Sequence, residues 1–141
     1  MRLSLGYPGR AAERSLLLGE ARRDLLPRLE PLLDHAALAA FQAEVPKVRA
    51  SDALVDYVLR LVEATRTQPA FALGLSPRGS LALLAAARAW ALLAGRDYVI
   101  PEDVQAVLPA VAGHRLRDQA DPTGHGGGAL VQWLLREVPA L

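Results

Sequence analysis

One stretch limits what this chain can fold into more than any other. From Arg78 to Ala94 nearly every residue is apolar or alanine, and Arg88 is the only charge in its interior. Ser76-Pro77 stands before it and Gly95 after it. Serine is a good N-cap, proline is pre-set for the first helical position, and glycine suits the residue just past a helix end. The stretch therefore predicts a long capped helix. A helix apolar nearly all round is expected at the centre of a bundle. Alanine and leucine dominate the rest, and aromatics are only 5%. Straight-chain residues lose little rotamer freedom in helices, so the whole chain is expected to be all-α.

Helical spacing and caps predict the neighbours. Gly9 to Leu18 reads as a short helix, and Ala21 to Pro31 as a linker or broken helix, because Pro27 and Pro31 interrupt it. Asp34 caps a helix from His35 to Val45, with Leu38, Phe41 and Val45 at helical spacing. Lys47-Val48-Arg49 reads as extended. Ser51 caps a helix to Thr67 with Leu54, Val58, Leu61, Val62 and Thr65 as its inner stripe, and Asp56 and Arg60 as an i,i+4 ion pair. Thr67 to Leu75 is a loop, and Tyr98-Val99-Ile100 is extended. Pro101-Glu102-Asp103 opens a helix that Pro109 should kink or divide. His114 to Gly128 reads as a mobile Gly-rich loop, and Ala129 to Val138 as a last amphipathic helix. The sum is a small bundle of about five helices with at most two very short strands.

Composition removes whole classes of function. The 141 residues carry a net charge of +1, which gives no long-range field for nucleic acid or an anionic membrane. There is no cysteine, which excludes disulfides, thiol catalysis and zinc-thiolate sites and fits a cytoplasmic setting. No segment reaches the ~18 uninterrupted apolar residues of a spanning helix. His114, Asp118, Asp121 and His125 lie in one Gly-rich stretch, but their spacing fits no metal-ligand pattern, so no metal site is expected. No Gly-x-x-x-x-Gly-Lys-Ser/Thr loop and no apolar strand ending in paired acids occur, so this chain is not expected to hydrolyse ATP alone.

Four pieces in order carry a resemblance. They are Val58 to Arg66 (VLRLVEATR), Gly74-Leu75-Ser76-Pro77-Arg78, Ala87 to Val104 (ARAWALLAGRDYVIPEDV), and His114-Arg115-Leu116. Together they resemble the C-terminal helical lid of the MoxR family of AAA+ ATPases. Arg2 to Pro8 resembles the end of that family's ATPase core. Two positions depart from the pattern: Gly79 stands where alanine is usual, and Ile100 where a capping threonine is usual. Each departure costs up to about 1 kcal/mol.

The resemblance implies residues 1–33 as the end of the core and a linker, 34–116 as the lid, and 117–141 as the Gly-rich loop and final helix. It implies ATP and Mg2+ as cofactors of a longer parent protein, with Met1 at an internal family position. It implies partners as well: the chain's own ATPase core, neighbouring subunits of a homo-hexameric ring, and proteins carrying von Willebrand A domains. Arg78 matches the family's sensor-2 arginine. Independently, a guanidinium beside exposed amides at a helix N-terminus suits a phosphate held elsewhere. The bland alternative is a surface arginine that follows a capped proline. Ser76 and Arg66 are the supporting residues, although Arg66 also suits a plain C-terminal cation matched to the helix dipole. Arg88 is expected to reach an acid or to extend toward solvent. His114 and Arg115 are expected to cap helix carbonyls. Tyr57, Trp90 and Tyr98 are expected in the core or at a lid interface. The rival function is a helical interaction or dimerisation module with no nucleotide role.

Overall fold

The computed structural model describes residues 1–19, 26–121 and 127–140. Among them are six α-helices: α1 (Arg10–Leu18), α2 (His35–Glu44), α3 (Asp52–Thr67), α4 (Pro77–Leu93), α5 (Pro101–Ala112) and α6 (Gly127–Glu137). Two short strands, β1 (Phe71–Leu73) and β2 (Arg117–Asp118), pair antiparallel. No described helix is long and apolar enough to cross a membrane.

The caps act as the side chains predict. Asp34 accepts from the Ala37 amide at 2.7 Å, Ser51 from Leu54 at 3.2 Å, and Ser76 from Gly79 at 3.2 Å. Each satisfies one amide that the helix leaves without a partner. The Ile100 amide is met from inside the helix, by the Asp103 carboxylate at 2.9 Å. That carboxylate also takes both terminal nitrogens of Arg96, at 2.6 and 2.7 Å, while Gly95 makes the turn at φ +75°. The Gly-Arg-x-Tyr-Val-x-Pro-x-Asp run is thus a structural clasp joining α4 to α5.

The core lies between α3, α4, α5 and α6, with Leu61, Leu83, Ala87, Leu108 and Leu134 fully buried. Each such leucine contributes roughly 1.5–3 kcal/mol relative to exposure. The predicted inner stripe of α3 is buried throughout, and Tyr57 joins it. Phe71 meets Trp133 edge to face at 5.7 Å, which ties β1 to α6.

Several expectations are corrected. The helix α4 is not buried all round: Gly79, Leu83, Ala87 and Ala91 form one inner stripe, while Leu81 and Leu93 are exposed. Its many alanines blur the apolar stripe that larger residues would have made visible. Of the two outcomes expected at Pro109, a kink or a division, division does not occur, and α5 runs to Ala112. The flanking Leu108, Val111 and Ala112 are buried and hold the last turn in place. The loop from His114 is not wholly irregular, because Arg117–Asp118 forms β2; residues 122–126 lie outside the described residues, as do residues 20–25 of the expected linker. Lys47 ends a 3-10 turn over Val45–Lys47 rather than opening a strand, and Arg49 makes only a single bridge, to Tyr98. Arg60 does not pair with Asp56; it donates to the carbonyls of Pro139 and Ala140. Of the aromatics expected in the core or at a lid interface, Tyr57 is in the core, while Trp90 and Tyr98 are each 48% exposed and lie outside it.

Candidate functional site

The expected phosphate-facing residue sits at the second position of α4. Arg78 is exposed, and among the described residues it makes no hydrogen bond or ion pair. Its place is fixed by a clamp on the residue before the cap. Thr65, buried on α3, accepts from the Leu75 amide at 3.0 Å and donates to the Val62 carbonyl at 2.6 Å. Arg66 donates its Nε to the Leu75 carbonyl at 2.9 Å. The Thr-Arg pair therefore grips both backbone groups of Leu75, and the Ser76-Pro77-Arg78 turn starts from a fixed point. Arg66 acts here as a positioning residue on the turn.

Gly74 belongs to the same joint. A Cβ there would overlap the carbonyl oxygen of Thr65 and lie 3.0 Å from the Arg66 Cγ. Only glycine lets the chain cross α3 this closely. Gly79, the departure noted in the sequence, faces the Leu75 side chain, and a Cβ would come within 3.2 Å of it. Alanine at that position would require Leu75 to shift, so glycine here relieves packing while costing helix propensity.

Strand pairing brings a second motif to the turn. Leu73 lies opposite Arg117, Phe71 opposite Asp118, and Gln119 donates to the Ala70 carbonyl at 2.9 Å. As a result Leu73, Gly74, Ser76, His114, Arg115 and Arg117 line one open cleft of about 340 Å3. Arg115 caps the end of α5 through the Val111 carbonyl at 2.5 Å, as expected. The His114 pKa is lowered, through partial desolvation first and then the Arg115 charge, although the residue remains exposed. Arg117 is exposed, and among the described residues it has no acidic partner. The sequence reading missed Arg117. Nothing local marks it, since its place beside Ser76 comes from pairing across more than forty residues of sequence. Among the described residues, Arg78 on α4 and Arg117 on β2 are thus two exposed cations without an acidic partner.

No group of three His, Asp or Glu among the described residues could hold a metal ion, and His125 lies outside those residues.

A mostly helical bundle with one short two-stranded sheet is consistent with a AAA lid. Residues 63–132 match the AAA lid domain family. The chain is 37% identical over 97% of its length to the uncharacterized protein YeaC of Bacillus subtilis, covering 42% of it. It is 39% identical over 82% of its length to Chaperone MoxR1 of Mycobacterium tuberculosis, covering 32% of it. Among solved structures, a candidate ATPase from Cytophaga hutchinsonii superposes with a TM-score of 0.75. That match has 23% identity and covers 96% of this chain and 44% of the other. Residues 63–132 thus carry a AAA lid domain, the chain is similar over most of its length to MoxR proteins, and it spans less than half the length of these relatives.

Proposed function

We propose that this lid belongs to an ATPase and senses bound nucleotide through Arg78. The observation that carries the reading is a guanidinium left exposed and unpaired on a turn clamped by Thr65, Arg66 and Gly74. In the parent protein an ATPase core would hold ATP and Mg2+, and the lid would close over them. As the γ-phosphoryl group leaves, charge spreads over its oxygens, and a positioned arginine stabilises that charge. The packed core of α3 to α6 lets the lid move as one body, so loss of the phosphate contact becomes motion of the ring. The described part of residues 1–33 supports a core end preceding the lid. Leu17 and Leu32 are exposed there, and α1 buries no residue, as expected of a surface made to meet another domain. A homo-hexameric ring in the cytoplasm, acting on partners with von Willebrand A domains in a chaperone-like role, completes the reading.

The test is Arg78→Ala in the full-length protein. Turnover should fall at least about tenfold, equivalent to ~1.4 kcal/mol of transition-state stabilisation, with helical content unchanged. Unchanged turnover would favour an interaction module instead.

A further inference from the structure

A second pocket lies away from the α4 N-terminus, around Arg88. It has a volume of about 640 Å3, and its walls are the chain from Pro46 to Ser51, Tyr98, Val99 and the Arg88 side chain. Three of its lining residues are cations, Lys47, Arg49 and Arg88, and none is an acid. Two of the cations are already matched at the exposed rim. Lys47 pairs with Glu44 at 2.6 Å, and Arg49 with Asp97 at 2.9 Å. Arg88 is different. Its Nε is buried and has no hydrogen-bond partner, and no acid reaches the side chain among the described residues. A buried donor of a charged group without an acceptor is unfavourable, and native structures rarely leave one in this state.

We propose that this pocket takes a carboxylate side chain from an acidic segment of another polypeptide, with Arg88 as its anchor. A planar guanidinium binds a carboxylate through two parallel hydrogen bonds, which would draw Arg88 onto the guest and give its Nε an acceptor. The pocket also explains why the guest is a protein side chain rather than a free anion. Val48 and Val99 form a buried apolar floor, and the half-exposed Tyr98 ring stands at the mouth. Those apolar surfaces suit the hydrocarbon stem of glutamate, which a phosphate ion lacks. Ser51, the N-cap of α3, places the positive end of that helix at the same wall.

The test follows the Arg88 Nε–H resonance in the 15N-labelled 141-residue chain as hexaglutamate is added, with hexalysine and inorganic phosphate in parallel. The expected result is a saturable shift and slower exchange of this one resonance with hexaglutamate alone. Arg88→Gln should weaken hexaglutamate binding at least about fivefold, while Arg88→Lys should retain part of it. An unmoved Arg88 resonance, or a shift confined to Lys47 and Arg49 at the rim, overturns the proposal. An equal response to phosphate overturns the polypeptide source. The wild-type titration alone is decisive if either variant fails to fold.

Discussion

Replacing Thr65 with valine tests the joint on which the Arg78 turn stands. Valine keeps the shape but removes the hydroxyl. Thr65 is 1% exposed and Leu75 2%, so no solvent is at hand to replace the lost bond. The Val62 carbonyl loses little, because it also lies within the α3 hydrogen-bond ladder. The Leu75 amide loses its acceptor, which for a buried donor costs about 1–3 kcal/mol. The additional buried methyl offsets up to about 0.8 kcal/mol. A net loss of about 1–2 kcal/mol corresponds to a Tm lower by roughly 4–8 °C at ~4 °C per kcal/mol. Thermal unfolding measures the total. Hydrogen exchange at the Leu75 amide localises it, and should accelerate by about 5–30-fold. A loss under about 0.5 kcal/mol, the range of ordinary surface changes, would refute the clamp.

The remaining predictions concern the same joint and its surroundings. Gly74→Ala forces a Cβ against the Thr65 carbonyl and should cost about 1–3 kcal/mol, read by denaturant unfolding. The Asp103 pKa lies below the usual carboxylate value, chiefly through its hydrogen bonds to Arg96 and also through the Ile100 amide. Its contribution to stability is therefore full above the ordinary carboxylate pKa and is lost as pH falls through the lowered one. Asp103→Asn should flatten the acid limb of a stability–pH curve. The His114 pKa is also lowered, by partial desolvation first and by the Arg115 charge, so the fold favours its neutral form. Its stabilising share is present above the ordinary histidine pKa and disappears as pH falls through the lowered value; an NMR titration should place its midpoint below that of free histidine.

The elements legible in the sequence are those set by local chemistry. Ser51, Ser76 and Asp34 each announce a helix start with one side chain and one amide, and each start appears where they place it. The stripe of α3 was readable because its large residues recur at helical spacing. The outer face of α4 was not, because alanine has no strong preference for inside or outside. The site was half legible. The Gly-x-Ser-Pro-Arg turn can be read directly, but the grip of Thr65 and Arg66 on Leu75 spans about ten residues, and the approach of Arg117 spans more than forty. Neither leaves a periodic trace. The Arg60 contact to the carboxy-terminal carbonyls likewise depends on how α6 packs, so the local i,i+4 rule pointed to the wrong partner.

Whether the guanidinium of Arg78 meets a phosphate is most directly tested by arginine-selective labelling of the full-length protein, with each site quantified by mass spectrometry. With Mg2+ and a non-hydrolysable ATP analogue, Arg78 should react several-fold more slowly than without nucleotide, while exposed Arg136 on α6 keeps its rate. Equal labelling of Arg78 with and without nucleotide would contradict the account.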